Sequence, residues 1–267
     1  MDTLETTTEK LLAHKEGAIG WITFNNPARH NAVSMSMWES LPRALSAFER
    51  DPEVRVVVIK GAGDKAFISG ADISEFKEKR ASKEAAAAYN AAGDAAHAAL
   101  QEFSKPTIAM VRGYCIGGGC AVAVDCDIRI AAEDSVYAIP AGRLGLGYRY
   151  DGIRRLIDLV GPSFASEIFY TARKFDAQEA KSMGLINRLV PAAELEAYTR
   201  DYAAMIADNA PLTLAAVKRS VLERHKDPGV RDLKRCQAMV DACFASADYE
   251  EGRSAFMEKR RPVFKGR

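Results

Sequence analysis

Three kinds of chemistry have little to stand on in this sequence of 267 residues. Its five cysteines, at positions 115, 120, 126, 236 and 243, show no Cys-x-x-Cys spacing, and the four histidines form no cluster with them. A disulfide scaffold or a metal site is therefore not expected, and buried reduced thiols in a cytoplasmic protein are. No apolar run reaches the ~18 residues that a membrane span needs. The stretch Met1 to Lys10 is acidic and threonine-rich, so it does not read as a secretory or transit signal. Lys and Arg number 37 against 36 Asp and Glu, a net charge of +1, and the one short basic run, Lys259-Arg260-Arg261, reads as a solvated helix face. No nucleic-acid partner is expected from such a balance.

What is present is a core and glycine in particular places. Hydrophobic residues make up 48% of the chain, enough for one large domain, or one domain with an appendage. The run Gly113-Tyr114-Cys115-Ile116-Gly117-Gly118-Gly119-Cys120-Ala121 lies between the apolar stretches Thr107 to Val111 and Ala121 to Val124. It reads as strand, tight turn and buried helix, because glycine lets the chain turn sharply and leaves its amides bare. The first amides of a helix have no intrahelical acceptor and sit at the positive end of its dipole, so an oxyanion there is stabilised. The oxyanion is not a nucleotide phosphate. No Lys-Ser or Lys-Thr follows the glycines, and Val122 stands where a dinucleotide-binding fingerprint needs its last small residue. Cys120, next to the glycines, reads as a small buried residue and not as a nucleophile.

A second glycine turn, Phe67-Ile68-Ser69-Gly70-Ala71-Asp72-Ile73, follows the apolar run Val54 to Ile59. Two strand-to-helix turns that each offer one N–H can converge on a single oxygen. The pair Ser69 to Ile73 and Ile116 to Cys120 resembles the signature of the enoyl-CoA hydratase/isomerase, or crotonase, family. The similarity runs from Trp21-Ile22-Thr23-Phe24-Asn25-Asn26-Pro27 with Asn31-Ala32 to Phe256-Met257-Glu258-Lys259-Arg260, nearly the whole chain. The resemblance implies an acyl-CoA substrate, with coenzyme A arriving as part of the thioester and no separate cofactor or metal. It also implies that the Ala71 and Gly118 amides form an oxyanion hole for the thioester oxygen.

Along the chain, residues 11–24 alternate about Glu16-Gly17 as a hairpin, and a loop from Asn25 to Ser34 leads to a helix over Met35 to Arg50. Strands are predicted at 54–60, 106–111, 127–131 and 136–138. Helices are predicted over the alanine-rich stretch Ser82 to Glu102, over 118–126, over Asp151 to Val160 with Gly161-Pro162-Ser163 as its end, and over 177–183. This alternation implies an α/β fold with parallel pairing. The resemblance implies more, a spiral of ββα units over residues 1–192 and a C-terminal helical trimerisation region over 193–267. Ser246 is a candidate cap for the last helix. By the same resemblance Arg29 contacts the coenzyme phosphate, Phe256 and Lys259 contact the coenzyme of a neighbouring active site, and the assembly is a homotrimer or homohexamer.

The chemistry departs from the family at two places. By resemblance, hydratases carry one glutamate directly after Gly-Gly-Gly-Cys and another after the proline of a later strand; here those places hold Ala121 and Ala141. Methyl groups move no protons. Replacement groups are sought on Ala138 to Arg155, which holds Arg143, Tyr148, Arg149, Tyr150 and Asp151. Asp151 reads either as a cap of the helix that follows or as a proton carrier. Leu146-Gly147-Tyr148 with Gly152-Ile153 is similar to the methylmalonyl-CoA decarboxylase branch, although the histidine beside that branch's oxyanion loop is Ala71 here. Three functions follow: an altered hydratase or isomerase that stabilises a thioester enolate, a malonyl-type acyl-CoA decarboxylase, or a non-catalytic acyl-CoA binding protein.

Overall fold

In the computed structural model, which describes residues 2–4, 8–72 and 83–267, the chain forms two sheets flanked by helices. The larger sheet has the order β1-β2-β3-β4-β6-β8-β11, built from β1 (Asp2–Leu4), β2 (Leu11–Glu16), β3 (Ile19–Phe24), β4 (Val56–Gly61), β6 (Thr107–Val111), β8 (Ile128–Ala132) and β11 (Arg188–Val190). The β2–β3 hairpin is antiparallel, as its alternation predicts, and from β3 onward all neighbours are parallel. The smaller sheet runs β10-β9-β7-β5, from β5 (Ala66–Ile68), β7 (Tyr114–Ile116), β9 (Val136–Ala138) and β10 (Phe175–Asp176).

Three strands of the first sheet, β4, β6 and β8, are each followed by a short strand of the second and then by a helix. The units are β4, β5 and α2 (Lys83–Glu102); β6, β7 and α3 (Gly118–Asp125); and β8, β9 and α4 (Tyr150–Thr171). This is a repeated ββα architecture. The sequence reading took the segment after Gly113 as a turn, whereas Tyr114–Ile116 pairs as β7 between β5 and β9. Three residues are too short a run to show an alternation.

The parallel strands are apolar along their length because both faces are covered. Val57 and Ile59 of β4 face a core shared with α1 (Met35–Arg50), while Val56 and Val58 face Trp21, Ile108, Ile130 and the helix α6 (Leu195–Ala207). Ser34 caps α1, its side chain accepting from the Met37 N–H. After α5 (Ala177–Ser182), β11 and α6 come only helices: α7 (Pro211–Arg224), α8 (Leu233–Phe244) and α9 (Ala247–Glu258), with Ser246 capping α9 through the Tyr249 N–H.

Two local expectations are corrected. The chain leaves the helical conformation at Gly161 (φ 76°, ψ 165°) but does not end there; Pro162 opens a further helical stretch to Thr171. Proline suits a first helical turn, where its missing N–H has no partner to lose. Asp151 is no N-cap: Arg149 occupies that position without a side-chain cap bond, and Asp151 lies exposed within the first turn. Ile73 and Ser82, which belong to the predicted second motif and helix, lie outside the described residues.

Candidate active site

The site grows out of the smaller sheet. Its strands β5, β7 and β9 are parallel neighbours, so the segments that leave their C-terminal ends open at one edge. Those segments carry Ala71, then Gly118 to Ala121, then Ala141. Backbone hydrogen bonds set the first. Val33 N–H donates to Gly70 O at 2.8 Å, and Asp72 N–H donates to Val33 O at 3.0 Å. Because alternate residues of an extended segment turn their amides to opposite sides, the Ala71 N–H faces away from Val33. It has no backbone acceptor among the described residues.

Gly117 turns the second segment at φ 54°, and its N–H donates to Ala138 O at 2.8 Å. Gly118 is then the first residue of α3, with an N–H that neither the helix nor a side-chain cap satisfies. A side chain built on Gly118 would stand 3.9 Å from Gly70 Cα and 3.8 Å from Trp38 Cζ2. The two glycine turns are thus in contact, and both bare amides belong to that contact. One turn residue further, Gly119 lies so close to the Ile68 carbonyl that any Cβ would run into it.

Around these turns the other side chains are tied down to different degrees. Asn31, fully buried, donates to Ala62 O (3.0 Å) and Ala66 O (2.7 Å) and accepts from the Asn26 N–H (3.0 Å), which fastens the loop below β5. Cys120 is buried, and its thiol donates to Cys115 O at 2.8 Å, a packing role that matches its expected one. Ala121 is half-buried and Ala141 buried. Tyr148 is half-buried, its ring edge-on to Phe169 at 4.9 Å between centroids. Its hydroxyl makes no hydrogen bond among the described residues, and burial pushes its pKa up to about 12.

Arg143, Arg149 and Asp151 are exposed. Arg149 is engaged: its Nη2 donates to both carboxylate oxygens of Asp94 on α2, at 2.8 and 2.9 Å. Arg29 is exposed in the loop after β3, and the backbone carbonyl of Arg29 accepts from Ser69 Oγ at 3.3 Å. Phe256 lines a different place, an apolar groove of about 960 Å³ between α7, α8 and α9. Lys259 ends α9 in the left-handed conformation at φ 54°. That groove shares no lining residue with the glycine turns.

Residues that the motifs did not single out complete the surroundings. The Trp38 indole N–H donates to Tyr89 Oη (3.1 Å), which in turn donates to Val33 O (3.1 Å), so α1 and α2 are locked to the strand that positions Ala71. Behind Trp38 lies His97, bonded to Asp125. The one sequence signal for this pair is a charged Asp125 in the otherwise small and apolar helix Gly118 to Asp125.

Comparison with known proteins agrees with this construction. The profile described as enoyl-CoA hydratase/isomerase matches residues 14–267. Crotonyl-CoA hydratase of Syntrophomonas wolfei is 34% identical over 96% of this chain and 98% of its own. Carnitinyl-CoA dehydratase of Salmonella typhi is 34% identical over 97% of this chain and 100% of its own. Among solved structures, an enoyl-CoA hydratase/carnithine racemase from Magnetospirillum magneticum superposes with a TM-score of 0.90 at 34% identity, covering 98% of this chain and 97% of that one.

Proposed function

Since this chain belongs to the enoyl-CoA hydratase/isomerase family, we propose that it works on an acyl-CoA thioester by holding the enolate oxygen between the amides of Ala71 and Gly118. The observation that carries this is the contact of the two glycine turns, each with an N–H that no backbone group among the described residues accepts. Donors aimed at a developing oxyanion act without reorganisation, and losing one costs about 2.7–4 kcal/mol of transition-state stabilisation. Coenzyme A enters as part of the substrate, so no separate cofactor is needed. Arg29, exposed beside the first turn, is a phosphate contact in this reading.

With alanine at 121 and 141, in place of the two glutamates of the hydratases this chain resembles, ordinary hydration is slow. A reaction that makes the enolate without a carboxylate base is then favoured. Decarboxylation of a malonyl-type thioester is the second reading, and Tyr148 supports it, because its unpaired, weakly acidic hydroxyl suits orienting a carboxylate or a protonating water. Arg149 is already paired with Asp94, so Arg143 is the better candidate to meet the leaving carboxylate. Assay of crotonyl-CoA, methylmalonyl-CoA and ethylmalonyl-CoA side by side separates the readings. Hydration faster than decarboxylation would overturn the second. Tight acyl-CoA binding with no turnover on any ester leaves a binding protein.

The assembly in this reading is a homotrimer or a dimer of trimers in the cytoplasm, joined through the helical region 193–267. Val217, Val221, Val240, Phe244 and Phe256 are exposed along the groove between α7, α8 and α9, a contiguous apolar face suited to a subunit contact. Light scattering that finds a stable monomer at micromolar concentration removes this part.

A further inference from the structure

A cluster of titratable side chains borders the oxyanion turns and has no part in the reading above. His97, on α2, places Nδ1 2.6 Å from Oδ2 of Asp125, the last residue of α3. The other oxygen of that buried carboxylate accepts from Gln101 Nε2 (2.7 Å) and Arg155 Nη1 (3.3 Å). A carboxylate held this way fixes the imidazole's orientation and keeps the proton of the neutral ring on Nδ1. Nε2, which points away from Asp125, is then a lone pair. It has no partner among the described residues, and it is not among the occluded polar atoms, the side chain being 25% exposed.

The position of this imidazole relates directly to the oxyanion hole. Asp125 lies one helical turn beyond Ala121 on the same face of α3. The ring of His97 lies 5.1 Å from that of Trp38, and Trp38 Cζ2 is the atom that borders Gly118. The imidazole and Gly118 therefore border the same indole ring. Asp94, one turn before His97 on α2, bridges to Arg149 at the start of α4 and closes the outer side.

We propose that His97, oriented by Asp125, carries the proton to and from the α-carbon of the bound thioester. This rests on the acyl-CoA reading above. The Nε2 lone pair takes the α-proton, directly or across one water, and the C–H electron pair moves into the thioester, whose oxygen lies between Ala71 and Gly118. The reverse step returns the proton from the imidazolium to the α-carbon, and no oxidant or reductant is involved. In hydration the returned proton is the one that the imidazole took from the water adding at the β-carbon.

The charges around the ring set the pH at which this works. Burial lowers the pKa of His97, but the bond and charge of Asp125, with Asp94, outweigh it and raise the pKa above the usual histidine value; Arg155 opposes them. The groups facing the ring are Trp38 from α1, Asp94 and Gln101 from α2, Asp125 from α3 and Arg155 from α4, with Arg149 acting through Asp94. A base works in its neutral form, so the rate rises as pH passes upward through the pKa of His97.

Exchange of the α-protons of butyryl-CoA with deuterium oxide, followed by NMR across pH, reads the step itself. His97→Gln is expected to lose about 10²- to 10⁴-fold in exchange, with the Kd for butyryl-CoA by calorimetry within threefold of wild type. Asp125→Asn is expected to move the acid limb to lower pH, a shift that a structural role alone does not produce and that stays readable if His97→Gln fails to fold. Exchange by folded His97→Gln within threefold of wild type, while Gly118→Pro loses it, overturns the proposal and leaves the oxyanion reading standing. An unmoved acid limb in Asp125→Asn also overturns it. Binding of butyryl-CoA without exchange in wild type overturns both.

Discussion

Two regions of the candidate site are built differently, a wall of glycine turns and a wall of polar side chains. The glycine-turn wall is backbone: Ala71 is held by the Val33 bridge, Gly118 opens α3, and Gly119 presses on the Ile68 carbonyl, all on segments that leave the parallel pair β5 and β7. The other wall, from Arg143 to Asp151, is side chains on an exposed segment, anchored by the Tyr148 ring on Phe169 and the Arg149–Asp94 pair. A backbone donor survives every substitution except proline and has no rotamer freedom to lose. A side-chain wall can be rewritten without refolding the protein. In the acyl-CoA reading, the enolate step rests on the first wall and the choice among reactions on the second.

The largest test of this contrast is Gly118→Pro, which deletes an amide where the fold tolerates proline, at the first position of a helix. Turnover of whichever ester proves to be the substrate should fall about 10²- to 10³-fold, with circular dichroism unchanged. Gly118→Ala is the control: its Cβ meets only ordinary contacts at 3.8 and 3.9 Å and it keeps the N–H, so the mutant should fold as the wild type does. Equal turnover by the proline variant would move the site elsewhere.

Next in size, Gly119→Ala drives a methyl into the Ile68 carbonyl, and the overpacking should cost about 1–3 kcal/mol in urea unfolding. No loss of stability there would mean that α3 and β5 can separate, and the first wall is then softer than drawn. On the other wall, Tyr148→Phe removes one hydroxyl and keeps the packing on Phe169. Its decarboxylation rate on a malonyl-type ester should fall roughly tenfold, a loss of about 1.4 kcal/mol, while the midpoint of unfolding stays in place. An unchanged rate would take Tyr148 out of the chemistry. Smallest is Arg149→Gln: with side chains 70% and 54% exposed, its pair with Asp94 should contribute at most about 1 kcal/mol to stability. A larger effect in thermal unfolding would show that the second wall is rigid too.

The first wall was legible in the amino-acid order because glycine at Gly70 and Gly117 to Gly119 reports a backbone requirement, and a backbone requirement is local. The second was legible only in part. Tyr148 and Arg149 stood out as polar residues before a helix, but the partners of each, Phe169 and Asp94, are brought in by α4 and α2. Asp151 looked like a cap, since aspartate before a helical pattern usually is one; the helix begins a residue earlier than that pattern suggested.

By itself the sequence determined the alternation of strands and helices, the two glycine turns and the resemblance to the family, because strand runs, turn residues and motif spacing are properties of neighbouring residues. The tertiary structure decided which turns meet. Gly70 and Gly118 are far apart in the chain and touch because β5 and β7 pair in parallel, a choice of partner that no local pattern encodes. The same holds for His97, which belongs to no motif and sits in the alanine-rich stretch. It becomes half of a His97–Asp125 pair because α2 packs on α3, and a carboxylate orients an imidazole by a hydrogen bond only at the distance that this packing supplies.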